Sequence, residues 1–335
     1  MTIQLNAEWM DQADGITKKT TRDAASQALI EVGRKEPNLV VLDADLALST
    51  KTIRFGQMFP DRFFDMGIQE QNMMGVAAGL ATCGKTVVAA TFATFASAIC
   101  YNVIRQSICY PRLNVKIYAT HSGISVGGDG ATHQMLEDLG LMKSLPGMTV
   151  IAPSDATEVG AAVRAMCAHD GPTYLRIGRS DEPDIFDSYG EFEIGKAHVL
   201  VDGDDVTLAA TGTMTKNALL ASRMLEGAGI SAQVVHVPTI KPLDEATLVA
   251  AARKTGGVVS CEEHTIMSGL GASIAQCLAR QAPTPMRFIG IRDTFGESGD
   301  GHELMVKYGL APEHIAESAE ALVQERGQTV KARSG

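Results

Sequence analysis

The chain has 335 residues, of which 45% are hydrophobic and 20% are charged, and its formal net charge is −10. This length and composition favour one large or two medium globular domains and exclude a disordered chain. The acidic balance argues against nucleic acid or an anionic membrane as a general partner, although a few local cations suffice to bind a phosphate group.

The N-terminal residues MTIQLNAEWMDQADG lack a basic segment followed by an apolar one, so no secretion signal is recognisable and a cytoplasmic protein is expected. Six cysteines are present without a Cys-x-x-Cys pair, which predicts reduced structural thiols. Residues 86–104 carry no charge and approach the length of a membrane span. Thr, Ser and Asn side chains interrupt this run, so we predict a buried strand followed by a buried helix.

Strand and helix signals alternate in the first half of the chain. The segment TTRDAASQALIEVGRKEP predicts a helix that ends before Pro37, and EQNMMGVAAGLATCGK predicts a helix that ends at Gly84. Further helices are predicted at 94–109 and 155–168. The predicted strands are NLVVLDAD, RFFDMG, TVVAA, NVKIYATH, MTVIAPS and PTYLRIGR. This alternation predicts a parallel sheet with helices on both faces, in a domain that covers residues 18–180.

Residues 181–194, DEPDIFDSYGEFEI, are acidic and rich in turn-forming residues, which predicts a linker. A second alternation of strands and helices follows and predicts a smaller domain over residues 195–325. Its predicted strands are DDVTLAATG, SAQVVHVPTI, GGVVSCEE and MRFIGIRD. The predicted fold class is therefore α/β, with two domains built on parallel or mixed sheets.

Ligands of open parallel sheets bind beyond the carboxyl ends of the strands, and five loops at this edge carry polar or aromatic residues. Glu70 lies where a glycine turn leads into a helix. A buried carboxylate there can share a proton with a ring nitrogen of an aminopyrimidine, which is the activating contact in thiamine diphosphate chemistry. The alternative is an ordinary acid at a helix start, stabilised by the helix dipole.

The loop 121–133 contains His121, Asp129, His133 and four glycines. Glycines allow the backbone to approach a ligand closely, and histidines bind hydroxyl or carbonyl oxygens and transfer protons near neutral pH. We therefore interpret the loop as part of a site for a hydroxylated substrate. A flexible surface loop with solvated histidines is the alternative.

Two further groups are candidates for ligand binding. Phe92 and Phe95 are three residues apart and can form a stacking slot for a heteroaromatic ring, with core packing as the alternative. Arg22, Ser49 and Arg179 can form a phosphate clamp, because a guanidinium matches the geometry of phosphate oxygens. Solvated surface arginines are the alternative to the clamp.

Residues 18–325 resemble the C-terminal half of transketolase, which comprises a pyrimidine-binding domain and a C-terminal domain. The resemblance is strongest to the separate C-terminal subunit of split bacterial transketolases. Four stretches match in order and spacing, namely DMGIQEQNMMGVAAGLATCGK, TFATFASAICYNVIRQSICYPRLNVKI, THSGISVGGDGATHQMLEDLGLMKSLPGMTVIAPSD and YLRIGR. The resemblance implies a thiamine diphosphate pyrimidine-binding fold followed by a transketolase C-terminal-like domain.

The resemblance also implies a role for each candidate residue. Glu70 would contact the pyrimidine nitrogen and activate the cofactor, Phe92 and Phe95 would line the pyrimidine pocket, and Asp45 would lie near the thiazolium ring. His121 and His133 would act on the hydroxyl and carbonyl groups of the sugar as catalytic residues. The residues implied in substrate binding are Arg22, Ser49, His121, Asp129, His133 and Arg179.

The sequence departs from the family in two places and lacks one of its sites. Ala98 replaces a pocket tyrosine common in transketolases, and Gly128 replaces an acid common before the Asp-Gly pair. The diphosphate-binding half of the family holds a divalent cation with Gly-Asp-Gly and a later Asn. Neither Gly-Asp-Gly here, at 128–130 or 299–301, has such an Asn after it, so we expect no metal site in this chain.

These observations predict one subunit of a two-component transketolase, which transfers a two-carbon ketol unit between sugar phosphates. A separate N-terminal diphosphate-binding subunit would hold most contacts to Mg²⁺ or another divalent cation, and two such pairs would form a dimer of heterodimers. Two alternatives remain open. One is the beta subunit of a 2-oxoacid dehydrogenase complex, and the other is a non-catalytic regulatory paralogue.

Overall fold

The computed structural model describes residues 3–6 and 18–334, so most of the N-terminal stretch MTIQLNAEWMDQADG, on which the expectation about a secretion signal rests, lies outside the described residues. The prediction of two α/β domains is confirmed. The first is built on a seven-stranded sheet and the second on a five-stranded sheet. Two additional two-stranded sheets involve the segment between the domains.

The first sheet is parallel except for one edge strand, which pairs antiparallel with its neighbour. From edge to edge its strands are Thr239–Lys241, Thr149–Ile151, Thr173–Arg176, Val115–Thr120, Thr86–Phe92, Leu39–Asp43 and Phe63–Asp65. The α-helices of this domain are Thr21–Lys35, Ala47–Thr50, Ile53–Met58, Glu70–Thr82, Tyr101–Val103, Asp138–Ser144 and Ala156–Ala168. π-Helical turns at Phe95–Ile99 and Ile104–Cys109 flank the short helix Tyr101–Val103.

The second sheet is also parallel except for one edge strand. Its strands, from edge to edge, are His198–Val201, Ala232–His236, Val206–Ala210, Val258–Thr265 and Met286–Ile291. Its helices are Met214–Gly227, Glu245–Thr255, Leu270–Gln281, Gly301–Lys307 and Pro312–Ser334.

The segment SAQVVHVPTI forms two strands in different sheets, whereas the sequence predicts one. Ala232–His236 lies in the second sheet, and Thr239–Lys241 is the antiparallel edge strand of the first sheet. The break falls at Pro238, which cannot donate a hydrogen bond to a strand ladder. Its carbonyl instead accepts a hydrogen bond from the backbone N–H of Ala152, at 2.8 Å. The second half of the chain therefore completes the sheet of the first domain.

Residues 181–194, predicted to be a linker, are folded and pack against both domains. Asp181–Pro183 pairs with Lys18–Thr20, and Phe186–Ser188 pairs with Gln4–Leu5. The aromatic side chains of this segment are buried, and they contact one another in sequence, Phe186 with Tyr189 and Tyr189 with Phe192.

The uncharged run 86–104 is a buried strand followed by helical turns, as predicted. In the part of the chain that the structure describes, no helix is long and apolar enough to cross a membrane. All six cysteines are free.

Candidate active site

The loops that carry most of the predicted site residues leave one edge of the first sheet. Asp43, Asp65, Phe92, Thr120 and Arg176 are each the last residue of a parallel strand. Because parallel strands end at the same edge, the segments that follow them converge there.

The four predicted aromatic residues form one cluster at this edge. The Phe92 ring stacks on the His121 ring, with 3.8 Å between centroids, and on the Phe95 ring, with 5.9 Å between centroids. His133 approaches both phenylalanines edge-on, with centroids 6.3 Å from Phe92 and 5.4 Å from Phe95. The predicted ring slot and the predicted catalytic histidines are therefore parts of one aromatic wall.

His121 is almost fully buried and has a backbone φ of 56°, in the left-handed region that residues other than glycine seldom adopt. Burial, together with the positive charges of Arg22 and Arg179, lowers the pKa of His121 to about 3. Its Nδ1 lies 2.9 Å from the Thr120 hydroxyl. A neutral imidazole has one donor and one acceptor nitrogen, so His121 can bind a substrate hydroxyl without carrying charge.

Glu70 is the first residue of the helix Glu70–Thr82 and is 8% exposed. Among the described residues its carboxylate has no hydrogen-bond or ion-pair partner. The next residue, Gln71, donates to the backbone oxygen of Ile99 at 2.9 Å, which joins this helix to the helical turn that carries Phe95. Burial, and secondarily the Glu70 carboxylate, raise the pKa of the nearby Cys100 thiol to about 12.

Glu70 stands at the helix start, where the helix dipole favours an acid. Most of the residue is buried, but its carboxylate oxygens are not among the fully buried unpartnered atoms of the described chain, so they remain open to a ligand. The hydroxyl of Thr91, beside Phe92, is buried without a hydrogen-bond partner in the described chain. One acid and a stacking wall fit the polar edge and the flat face of an aminopyrimidine, whereas the Thr91 side chain lies on the opposite face of the strand from Phe92.

The predicted phosphate-clamp residues lie on neighbouring segments. The Arg22 guanidinium donates to the backbone oxygens of Ser49, at 3.0 Å, and Arg179, at 3.1 Å. These two hydrogen bonds connect the segment of Ser49 to the segment of Arg179. Arg179 pairs with Asp129 at 3.4 Å and also donates to the backbone oxygen of Val126. About two fifths of the Arg179 side chain remains exposed, at 39%, which leaves donors for an anion.

Asp45 is exposed and has a backbone φ of 62°. Its N–H donates to the carboxylate of Asp65 at 3.1 Å, and the same carboxylate oxygen accepts from the N–H of Gly67 at 2.9 Å. Asp65 was not predicted to have a role, although an aspartate two residues before a glycine is a frequent turn signal. It connects the loop of Asp45 to the turn that leads into Glu70.

Asp43, at the end of the strand Leu39–Asp43, is fully buried and fixes the start of the loop that carries Asp45. It accepts hydrogen bonds at 2.7 Å from the hydroxyls of Thr50 and Thr52 and from the N–H of Leu46. Burial raises the pKa of Asp43, and these hydrogen bonds partly offset that effect. Asp43 and the two threonines that fix it have no recognisable signal in the sequence pattern.

The two Gly-Asp-Gly copies have other roles. Asp129 pairs with Arg179, and Asp300 caps the helix Gly301–Lys307 by accepting from the N–H groups of His302, at 2.9 Å, and Glu303, at 3.1 Å. Within the described ranges, no group of three or more His, Cys, Asp or Glu residues could hold a metal ion.

Both departures from the expected motif are exposed. Ala98 lies in the π-helical turn Phe95–Ile99, which also carries Phe95 of the aromatic wall. A Cβ added at Gly128 would meet no atom within 4 Å, and the backbone oxygen of Gly128 accepts from the Ser298 hydroxyl at 2.9 Å. An acid at that position would meet no steric obstacle, so its absence does not alter the shape of the loop.

Comparison with known families matches both halves of the chain. The family model of the transketolase pyrimidine-binding domain covers residues 17–183, and that of the transketolase C-terminal domain covers residues 195–315. A solved structure described as "Split gene transketolase, inactive beta4 tetramer" has a TM-score of 0.86 and 48% sequence identity. The match covers 91% of this chain and 99% of that one.

Two curated relatives are similar over nearly their whole length. "Putative transketolase C-terminal section" of Methanocaldococcus jannaschii is 47% identical over 301 residues, which is 89% of this chain and 94% of the relative. "6-deoxy-6-sulfo-D-fructose transketolase subunit SqwH" of Clostridium sp. strain MSTE9 is 41% identical over 305 residues, which is 91% of this chain and 95% of the relative.

Proposed function

This chain belongs to the transketolase family, and from that premise we propose that it is the pyrimidine-binding subunit of a two-component, thiamine diphosphate-dependent transketolase. The observation that carries the proposal is Glu70, a largely buried residue whose carboxylate has no protein partner in the described chain, at the same sheet edge as an aromatic wall. When bound, thiamine diphosphate supplies the carbon nucleophile that takes up and passes on a two-carbon ketol unit.

The residues of the chain have separate tasks in this proposal. Glu70 holds a proton at the pyrimidine ring nitrogen, while Phe92 and Phe95 orient the ring by stacking. His121, neutral because its pKa is lowered to about 3, donates to or accepts from a hydroxyl of the donor sugar. His133 faces the same wall from its edge and moves a proton at a second oxygen.

A phosphate group on the substrate would bind at Arg179. Its guanidinium is partly exposed, and Asp129 and the backbone of Val126 fix its orientation. A guanidinium fixed in this way binds phosphate oxygens with less loss of side-chain entropy than a free one. Arg22, at the start of the helix Thr21–Lys35, and Ser49, in the short helix Ala47–Thr50, would complete the clamp. Asp129 would also accept a hydrogen bond from a sugar hydroxyl.

A second polypeptide would supply the diphosphate and cation contacts, because the described residues of this chain offer no cluster for a divalent ion. Exposed apolar side chains flank the site as an interface would require. Leu48 is 76% exposed, Ile68 is 74% exposed and Ile99 is 49% exposed, and each lies within four residues of a predicted site residue. The similar split-gene protein, described as an inactive tetramer of its beta chain, supports self-association and a need for a partner.

The decisive experiment is reconstitution. The full chain, purified alone and with a diphosphate-binding transketolase subunit from the same genome, would be assayed for ketol transfer from xylulose 5-phosphate to an aldose phosphate with thiamine diphosphate and Mg²⁺. We expect activity from the pair and none from either protein alone. Activity from this chain by itself, or an inactive pair that nevertheless assembles, would contradict the proposal.

Glu70→Gln tests the acid within the reconstituted enzyme. It should lower kcat by about 10²–10⁴-fold, the usual contribution of a positioned proton-transfer group, because an amide cannot share a proton with the ring nitrogen. Glu245→Gln is the matched control, since Glu245 is also the first residue of a helix but lies in the second domain. If both variants kept the wild-type rate, Glu70 would be only a helix-start acid.

A further inference from the structure

The C-terminal domain contacts the loop 121–133 at several points, among them the Ser298 hydroxyl on Gly128 and one buried carboxylate, that of Glu263. Glu263 lies near the end of the strand Val258–Thr265 and is 3% exposed. Its Oε1 accepts the backbone N–H of Ser125 at 2.6 Å, and its Oε2 accepts the hydroxyl of Thr213 at 3.1 Å. The carboxylate therefore satisfies a backbone donor in the middle of the loop, from 138 residues away along the chain.

The position of Glu263 also explains why residue 123 of the loop is a glycine. Gly123 has a φ of +84°, and a Cβ added there would lie 2.3 Å from the Cδ and Oε1 atoms of Glu263. The carboxylate is therefore packed directly against the loop backbone, which leaves no space for a side chain. The loop conformation and the position of Glu263 depend on one another.

The backbone of Glu263 is itself fixed. The Arg176 guanidinium donates to the backbone oxygen of Glu263 at 2.9 Å, and it forms a buried salt bridge with Asp138, also at 2.9 Å. Burial of the salt bridge makes its loss costly, so this arrangement is rigid. The Glu263 carboxylate, which accepts from Ser125, therefore belongs to a strand that the first domain holds in place through Arg176.

Two residues that follow Ser125 orient Arg179, the side chain that is proposed to bind the phosphate group of the substrate. The backbone oxygen of Val126 accepts from Arg179, and Asp129 pairs with the same guanidinium. A shift of the Ser125 backbone would move Val126 with it and would release Arg179 from the direction in which it is held. The chain of contacts runs from Glu263 through Ser125 and Val126 to Arg179.

We propose that Glu263 is a positioning residue, by which the C-terminal domain sets the loop 121–133 in the conformation that binds the substrate. Glu263 would contact neither cofactor nor substrate. The proposal rests on the proposed function for its effect on catalysis, whereas its effect on the loop conformation is independent of any reaction.

The neighbouring Glu262 provides a matched control. It is equally buried, but it accepts from the N–H groups of Leu270, at 2.6 Å, and Gly271, at 2.8 Å, within the C-terminal domain. A change at Glu262 weakens a helix start in that domain without removing the bond to Ser125. Comparison of the two positions separates positioning of the loop from general loss of stability.

The test compares Glu263→Ala, Glu263→Gln and Glu262→Gln in the full chain, alone and in the reconstituted pair. Hydrogen exchange of peptides that cover residues 121–133 should be about tenfold faster in Glu263→Ala, since the loop loses its buried acceptor. Glu263→Gln keeps one acceptor oxygen and should restore most of the protection. Glu262→Gln should leave exchange of this loop unchanged.

In the reconstituted pair, Glu263→Ala should raise the KM for a sugar phosphate donor by about tenfold or more and change kcat much less, because the loss falls on substrate binding. Unchanged loop exchange in Glu263→Ala, or an equal increase in Glu262→Gln, would overturn the proposal. If Glu263→Ala fails to fold, Glu263→Gln still has to exchange measurably faster than the wild type in this loop and to raise the KM, each by less than the change expected for Glu263→Ala. Altered loop exchange in an enzyme pair without ketol transfer would refute the proposed function and leave the positioning role intact.

Discussion

His121 and His133 bracket the same glycine-rich loop, but the protein surrounds them differently. His121 is buried against the Phe92 ring, whereas His133 is half-buried at the edge of the aromatic wall. The sequence shows two similar residues in one loop and gives no measure of their burial. Their different surroundings suggest a neutral partner for a substrate oxygen at His121 and a more accessible group at His133.

The low pKa of His121 predicts a specific loss of stability in acid. An unfolded histidine has its ordinary value of 6.5, whereas the folded value is about 3, so below pH 6.5 only the unfolded state takes up the proton. The contribution of His121 to stability is therefore complete above pH 6.5 and is lost as the pH falls toward 3. By pH 5 the loss amounts to about 2 kcal/mol.

His121→Asn removes this titration. The variant should lose about 2 kcal/mol less free energy of unfolding than the wild type between pH 7 and pH 5. Urea denaturation of the full chain at the two pH values measures the difference. His264, whose pKa burial lowers to about 4, contributes equally to both proteins and cancels. Equal losses in the two proteins would show that His121 takes up its proton at an ordinary pH.

At this scale, the sequence was informative where residues are close along the chain or follow adjacent strands. The contact of Phe92 with His121 follows from such adjacency, because Phe92 ends one of two paired strands and His121 follows the last residue of the other. Glu263 could not be found in this way, since its contact with Ser125 depends on how two domains pack. The partner of Asp129 was equally hidden, because Gly-Asp-Gly alone does not distinguish an ion pair from a metal ligand.

Among the elements, the segment 181–194 differs most from its sequence-based interpretation. Its acidic residues and turn formers predict a linker, yet aromatic residues recur every third position at Phe186, Tyr189 and Phe192 and are buried. That spacing was the available signal for a packed segment. The surrounding elements that bury these rings come from both domains and could not be inferred from the segment itself.

Phe186→Ala should destabilise the protein strongly. The side chain is fully buried and contacts the rings of Tyr189 and His236, so its removal leaves a cavity at a cost of about 3–5 kcal/mol. Glu191→Ala, in the same segment but exposed, should change stability by less than about 0.5 kcal/mol. Urea denaturation of the two variants measures the difference, and a small effect of Phe186→Ala would restore the interpretation as a passive linker.

In the molecule as a whole, the two domains share structure beyond a common surface. The strand Thr239–Lys241 belongs by sequence to the second domain and by hydrogen bonding to the first sheet. Arg176 of the first sheet binds the backbone of Glu263 in the second. The alternation of strands and helices predicted two α/β domains. It carried no information about which sheet the strand Thr239–Lys241 joins, because the pairing partner of a strand is set by tertiary packing.

Ile240→Ala tests whether the pairing of the strand Thr239–Lys241 with the first sheet makes the two domains unfold as one unit. Ile240 is 2% exposed in the shared strand, and truncation should cost about 2–4 kcal/mol. If the domains unfold together, hydrogen exchange should accelerate both in Val115–Thr120 of the first sheet and in Val206–Ala210 of the second. Val199→Ala, at a 48% exposed position of an edge strand, is the control and should have little effect. Faster exchange in the first sheet alone would mean that the domains unfold separately despite the shared strand.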